Sequence, residues 1–324
     1  MHEEPTSQEP TIHDIVTSLP KVVIHDHLEG GPGIDIAALQ TPTALRDAVA
    51  QAVRDLAADN VVYAELRMSP ELYMAGGLTL SEAVDCAVGG LDAADGIDVR
   101  LVLTAQRSGT SLADVAALTV ARHGAVIVGM DVAGPEDGYP LAGDSESFAL
   151  LRANYVPFSV HVGLDAGIES IAEAIQLGAT RLGHATRIVD DFGVDIEGIV
   201  PGKVSSWVRD RHIPLEIAPT LEVQLGAADS LGDHPLTLLQ QLGFTCTVNP
   251  GIRSATGMSD QFLALADTFG YGVEEFFDLT VNAVQASYLT EVERQELLER
   301  IILPAYEALD MQAGLDEFDA TDFA

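Results

Sequence analysis

The sequence predicts an α/β fold, a single (β/α)8 TIM barrel with extra C-terminal helices. Short apolar, β-branched runs alternate with amphipathic segments along most of the 324 residues, which is typical of a parallel sheet with crossover helices. Eight such runs in a chain of one-domain size favour a closed barrel, with a doubly wound sheet as the alternative. Polar residues stand at the carboxyl ends of these runs, where barrel enzymes place their sites.

The predicted strands share a short, mostly apolar run that ends in polar or small residues. They are Val22–His27, Val61–Arg67, Val99–Ala105, Val126–Val132, Phe158–Gly163, Arg181–His184, Leu215–Ala218 and Thr245–Asn249. The predicted helices between them are Leu45–Ala58, Leu80–Ala94, Leu112–Arg122, Glu169–Leu177, Val204–Arg211 and Pro235–Leu242. The segment Gln261–Met311 is helical in pattern and is expected to pack outside the barrel. We therefore predict an N-terminal extension at 1–18, a barrel at 19–311 and an acidic tail at 312–324.

Composition excludes several classes of partner. The formal net charge is -34, so the surface repels nucleic acid and anionic lipid, and neither is expected as a partner. No apolar run is long enough for a transmembrane helix, and the polar start is unlike a signal peptide. Cys86 and Cys246 lie in apolar segments, which argues against a disulfide framework. A cytoplasmic location is expected, and the acidity fits either high solubility or a saline environment.

A histidine pair closes the first predicted strand. His25 and His27 are two residues apart, so both imidazoles lie on one face of the strand and can share a metal ion. His161, at the end of the fifth strand, can supply a third ligand. His184 ends the sixth strand and is read as a polar site residue rather than a ligand, and Asp131 ends the fourth. The pattern predicts a metal site at the carboxyl ends of the strands.

Short motifs in fixed order accompany these strand ends. They are Leu19-Pro20-Lys21 leading into His25-Asp26-His27-Leu28-Glu29-Gly30, Tyr63-Ala64-Glu65-Leu66-Arg67, Gly129-Met130-Asp131-Val132-Ala133-Gly134, His161-Val162-Gly163, Arg181-Leu182-Gly183-His184, Leu215-Glu216-Ile217-Ala218-Pro219-Thr220, and Gly243-Phe244 through Asn249 with Gly257-Met258-Ser259. Together they resemble the strands of the adenosine deaminase family, a group of metal-dependent amidohydrolase barrels. The resemblance spans about Leu19 to Tyr306.

The resemblance implies hydrolysis of the 6-amino group of a purine nucleoside by a metal-bound hydroxide. Three residues match the family's histidine ligands: His25, His27 and His161. His184 matches the histidine that orients and deprotonates the water. Glu29 stands where a carboxylate holds the ribose hydroxyl, and Gly134 stands where a backbone amide meets the purine ring.

Several positions depart from the family pattern. The family's glutamate that protonates the purine ring is replaced by Leu164, which cannot transfer a proton. Asp165 follows at once, but adjacent residues point in different directions, so its recruitment requires a shifted backbone. The metal-ligating aspartate is replaced by Gly251, and the next polar residue is replaced by Ile252. Arg253 follows and weakens a metal site further unless its side chain points away.

The segment between the first two strands is short. Only 38 positions separate His27 from Glu65, and 30–35 stands where the family inserts lid helices. An open pocket is wetter, which weakens every electrostatic effect in it. The leading hypothesis is therefore a family member that has lost hydrolytic deamination, has a weakened or lost zinc site, and retains binding of a purine nucleoside, an analogue or a partner. The alternatives are a metal-dependent hydrolase acting on another purine-type substrate through a three-histidine site, and an adenosine deaminase that recruits Asp165 or another carboxylate.

Overall fold

The strands of the computed structural model confirm the predicted barrel. The structure describes residues 10–30, 35–196, 198–253 and 256–313. In chain order the strands are β1 Lys21–His27, β2 Val61–Met68, β3 Asp98–Gln106, β4 Ile127–Ala133, β5 Phe158–Val162, β6 Arg181–His184, β7 Phe192–Asp195, β8 Gly198–Pro201, β9 Leu215–Ile217, β10 Cys246–Val248 and β11 Gly251–Ile252. Nine of them form one curled parallel sheet in the order β10-β9-β6-β5-β4-β3-β2-β1-β11. Because this order follows the chain without the reversal of a doubly wound sheet, the alternative topology is excluded.

The last barrel strand differs from its prediction. The single strand predicted at Thr245–Asn249 is divided into two short strands. β10 pairs with β9, and β11, which begins after a gap of two residues, pairs with β1. The side chain of Asn249 fills the break, because its Oδ1 accepts the backbone N–H groups of Ile24 at 3.0 Å and His25 at 3.1 Å. Pro250 has no N–H to contribute to a ladder at this point. One buried amide side chain thus joins the two ends of the sheet.

Helices cover the outside of the sheet. In chain order α1 to α13 are Ile12–Ser18, Pro42–Ala58, Leu80–Val88, Leu112–Arg122, Ser145–Ala153, Ile168–Leu177, Lys203–Asp210, Pro219–Gln224, Leu236–Gln241, Met258–Phe269, Val273–Ala286, Glu291–Leu297 and Leu303–Ala313. The 3-10 helices are Ile36–Leu39, Pro70–Gly76, Ala142–Asp144, Thr186–Asp191 and Leu231–Asp233, and a π-helical turn spans Leu298–Ile302. The helical C-terminal segment is as predicted, whereas α5 and the β7–β8 hairpin were not predicted. No helix in the described ranges is both long and apolar enough to cross a membrane.

The connection from β1 to β2 is brief in the described residues. It contains one 3-10 turn, Ile36–Leu39, and the single long helix α2. Of the segment 30–35 that the sequence identifies as shortened, residues 31–34 lie outside the described ranges.

A buried network of ion pairs joins the strands of the barrel. Arg67 on β2 contacts Glu216 on β9 at 2.5 Å and Asp131 on β4 at 3.1 Å. Arg181 on β6 contacts Glu65 at 2.6 Å and Glu216 at 2.7 Å. Each guanidinium therefore joins two carboxylates from other strands, and the network fixes the strands from which the site residues project.

Candidate functional site

One cavity of about 370 Å³ gathers the predicted site residues at the carboxyl ends of the barrel strands. Its lining includes His25, His27, Glu29, Gly134, His161, Leu164, Asp165, His184, Gly251 and Ile252. These residues come from strands and loops spread over more than 200 positions of the chain. Their convergence follows from the barrel, because all of its parallel strands end on the same side.

Four imidazoles form the floor of this cavity. The ring centroid of His161 lies 4.7 Å from that of His25, 4.9 Å from that of His27 and 4.9 Å from that of His184. The Nε2 atoms of His27 and His161 are 3.1 Å apart. Two sets of side chains bring donor atoms close enough together for a metal ion: His25, His161 and His184, and His27, Asp131 and His161.

Burial favours the neutral form of three of these imidazoles, because it lowers the pKa values of His25, His27 and His161. It lowers the pKa of His27 to about 4, although the Asp131 carboxylate opposes the shift. Burial also lowers the pKa values of His25 and His161 well below the usual histidine range. Both ring nitrogens of His25 are buried and lack a hydrogen-bond partner among the described residues. Neutral imidazoles with an unpartnered nitrogen suit a divalent transition metal, so the chemistry of the donor set fits one.

His184 is held by a carboxylate that the sequence reasoning missed. Its Nδ1 lies 2.8 Å from Oε1 of Glu222, and Nε2 of His234 lies 2.6 Å from the other oxygen. Burial alone raises the pKa of Glu222, but the hydrogen bonds from the two histidines outweigh it and lower that pKa to about 2. An ionised Glu222 fixes Nδ1 of His184 as the protonated nitrogen, which leaves the other nitrogen as a proton acceptor. His234 is itself buried and takes a structural role here.

Glu29 has one occupied and one open oxygen. Its Oε1 accepts hydrogen bonds from the Tyr73 hydroxyl at 2.6 Å and the Ser69 N–H at 3.0 Å. Its Oε2 is buried without a partner among the described residues. Burial raises the pKa of Glu29 to about 7, against the effect of these hydrogen bonds. The cavity therefore contains a carboxyl group with one oxygen ready for a ligand hydroxyl.

The loop after β5 is fixed by a second residue that the sequence reasoning missed. Glu136 accepts three successive backbone N–H groups, from Gly163 at 2.8 Å, Leu164 at 2.7 Å and Asp165 at 2.9 Å. With the backbone held in this way, Leu164 is half-buried in the cavity wall and Asp165 is exposed. Oδ2 of Asp165 lies 3.4 Å from the backbone N–H of Glu136. Asp165 lines the cavity from this loop, so its recruitment stays a prediction.

Gly251 has a conformation that disfavours a side chain. Its φ is +81°, and a Cβ atom there would lie 2.6 Å from Cδ2 of Leu221 and 2.9 Å from the Cβ of Ala218. Arg253 points away from the cavity, with Nη1 2.7 Å from Asp26 and Nη2 3.0 Å from Asp55. The arginine therefore does not place its charge beside the histidines.

The fold and the histidine cluster define the class of protein, a (β/α)8 barrel with a candidate metal centre at the carboxyl ends of its strands. A family model described as adenosine deaminase matches residues 33–304. The adenosine deaminase of Mycobacterium ulcerans is 36% identical over 357 aligned positions, covering 93% of this chain and 98% of that protein. The chain therefore belongs to the adenosine deaminase family. Because the alignment is longer than the 324 residues of the chain, the relative contains residues without a counterpart here.

Solved structures are similar in fold. An amidohydrolase from Burkhoderia ambifaria, with bound Zn, has a TM-score of 0.79 at 20% identity, covering 96% of this chain and 97% of that one. The Arabidopsis protein ADAL complexed with IMP has a TM-score of 0.74 at 19% identity, covering 87% of this chain and 96% of that one. At these identities the likeness supports the barrel fold.

Proposed function

We propose that this protein binds a purine nucleoside, or an analogue of one, and does not carry out hydrolytic deamination. The observation that carries the proposal is the cavity wall, where Leu164 and Ile252 stand at positions that the family fills with proton-transferring or polar side chains. Deamination requires a proton on the purine ring to make the attacked carbon electrophilic, and leucine cannot deliver one. The proposal is supported by Glu136, whose carboxylate is occupied by three backbone N–H groups, and by Asp165, which lines the cavity with an exposed side chain.

Ligand binding is supported by groups that remain available. The unpartnered Oε2 of Glu29 is suited to a ribose hydroxyl, and the backbone of Gly134 lines the same cavity beside the apolar wall. A volume of about 370 Å³ is in the range of cavities that hold small molecules. ADAL, a structural neighbour with the same fold, binds the purine nucleotide IMP.

The family resemblance implies His25, His27 and His161 as the residues that would hold a zinc ion, with His184 beside it, and His27 and His161 also share a set of close donor atoms with Asp131. A bound zinc supplies Lewis acidity and lowers the pKa of water. The residues of the chain then divide their roles: Glu222 holds His184 with an accepting nitrogen toward the cavity, and Glu29 orients the ligand. Leu164, at the position of the family's proton donor, has no proton to give, so in this proposal binding and orientation proceed without the acid step.

A second candidate is a metal-dependent hydrolase acting on a different purine-type substrate. Nε2 of His25 favours it, because this nitrogen has no hydrogen-bond partner among the described residues and His25 belongs to a set of close donor atoms with His161 and His184. Such an enzyme needs a substrate that is electrophilic without ring protonation. A third, deamination through Asp165, is disfavoured by the exposure of that side chain.

Two measurements on the purified full chain test the proposal. Adenosine and inosine should raise the melting temperature, and the absorbance of an adenosine solution should stay constant over a wide range of protein concentration. Glu29→Ala should abolish the thermal shift, whereas Asp165→Asn, which removes a charge from the same cavity, should preserve it. Turnover that Asp165→Ala abolishes would establish the third reading instead. A thermal shift from neither nucleoside would refute the binding role.

A further inference from the structure

We propose that Asp131 on β4 is the carboxylate ligand of a metal ion held with His27 and His161, in place of the aspartate that residue 251 does not provide. The inference concerns metal binding and does not depend on the nucleoside-binding function proposed above. It also differs from the three-histidine set that the sequence indicates.

The donor atoms have the separations that a zinc ion requires. Oδ2 of Asp131 lies 3.6 Å from Nε2 of His27 and 3.4 Å from Nε2 of His161, and the two nitrogens are 3.1 Å apart. Four ligands at about 2.0–2.1 Å in a tetrahedron lie about 3.3 Å from one another. The three edges of this triangle therefore match a shared ion with small adjustments.

The two oxygens of Asp131 have different partners, which directs one of them to the imidazoles. Oδ1 accepts the Ser159 hydroxyl at 2.8 Å and lies 3.1 Å from Nη1 of Arg67. Oδ2 faces the two histidines and has one long protein donor, the Thr104 hydroxyl at 3.3 Å. Outer partners of this kind orient a ligating carboxylate. The three supporting side chains and Asp131 itself all come from barrel strands, so the orientation is rigid.

The positive charge of Arg67 is balanced beside the site. Its Nη1 lies 3.2 Å from Nε2 of His161, so a metal ion must displace that contact. Its other terminal nitrogen lies 2.5 Å from Oε2 of Glu216. Arg181 pairs with Glu216 and with Glu65, so the buried network contains three carboxylates and two guanidinium groups, an excess of one negative charge. The remaining negative charge favours a cation at the histidines.

The decisive experiment is a crystal structure of the wild-type chain soaked with zinc chloride, with anomalous data at the zinc edge. We expect a peak at about 2.0–2.2 Å from Oδ2 of Asp131 and from Nε2 of both His27 and His161. A peak on His25, His27 and His161 with Asp131 outside bonding distance overturns the inference. The absence of zinc from the soaked crystal overturns it as well.

Variants provide an independent readout in solution. Zinc affinity, measured by chelator competition, should fall by about 100-fold or more in Asp131→Asn. The control is Asp165→Asn, which removes another carboxylate of the same cavity and should change the zinc affinity by less than about threefold. An Asp131→Asn protein that is folded by circular dichroism and binds zinc as tightly as wild type refutes the assignment. If that variant does not fold, the wild-type crystal decides. A nucleoside-induced thermal shift in metal-free protein reports on the proposed function separately.

Discussion

Restoring the missing aspartate at residue 251 should destabilise the protein without improving metal binding. Gly251 adopts φ +81°, a conformation that an aspartate reaches only with strain. A Cβ atom there meets Cδ2 of Leu221 at 2.6 Å and the Cβ of Ala218 at 2.9 Å. Gly251→Asp therefore adds strain and overlap at a buried position, and we expect a substantial loss in the free energy of unfolding.

The two contributions can be estimated and separated. A left-handed conformation costs a residue with a Cβ about 1–2 kcal/mol, and overpacking a buried position costs about 1–3 kcal/mol. Gly251→Ala should therefore lower the free energy of unfolding by about 2–5 kcal/mol, and Gly251→Asp should lower it at least as much. Gly77 offers the matched control, because its φ is +94° and an added Cβ would have no neighbour within 4 Å. Gly77→Ala should show only the cost of strain, about 1–2 kcal/mol.

Urea unfolding of the three variants and wild type gives the free energies, and chelator competition gives the zinc affinity. The expected order of stability is wild type, Gly77→Ala, Gly251→Ala and Gly251→Asp, with no gain in zinc affinity for Gly251→Asp. A Gly251→Asp protein as stable as Gly77→Ala, with tighter zinc binding, would refute the reasoning. It would mean that the segment after Asn249 adapts to the family's ligand and that Asp131 is not needed.

Two further predictions concern buried charges. The folded-state pKa of Glu29, about 7, lies above its ordinary value of 4.5, so its ionisation removes stability as the pH rises from about 4.5 through 7. Urea unfolding at about pH 5 and about pH 8 tests this. Between the two pH values, the free energy of unfolding of Glu29→Gln should rise relative to that of wild type by up to about 3 kcal/mol. An equal change in both proteins would contradict the prediction. Arg253→Ala should lower the free energy of unfolding by about 3 kcal/mol, because it leaves the fully buried Asp26 unpaired. Adding Asp26→Asn to this variant should recover part of the loss, because it removes the unpaired charge. Arg187→Ala, from an exposed pair with Asp190, is the control and should lose less than about 1 kcal/mol, so an equal loss in both would rule out a buried-pair effect.

Local patterns predicted the parts of the site that strand periodicity controls. His25 and His27 share a face because side chains alternate along a strand, and His161 and His184 join them because parallel barrel strands end on one side. The family resemblance, rather than periodicity, placed Leu164 and Gly251 at the cavity from their positions in the motifs. The strand order also followed, since short crossovers pair neighbours in sequence.

The parts that were missed depend on contacts between distant segments. Glu222 gives no local sign that it accepts hydrogen bonds from both His184 and His234. The break between β10 and β11 depends on the side chain of Asn249 bonding to β1, more than 200 positions away. Asp131 was recognisable as a polar strand end, but the direction of its Oδ2 is set by Arg67 and Ser159 from other strands.

The buried charge network and the wall of the cavity are under different physical constraints. Arg67 and Glu216 are fully buried, and removal of one partner leaves an uncompensated charge at a cost of about 3–5 kcal/mol. The requirement for stability alone therefore retains this charge network and the strands that carry the histidines, whatever reaction the cavity supports. Leu164 and Ile252 are only half-buried on the wall, where substitution costs less and changes which protons can move. The histidine pair consequently identifies the barrel, whereas the half-buried wall determines whether the barrel deaminates its ligand.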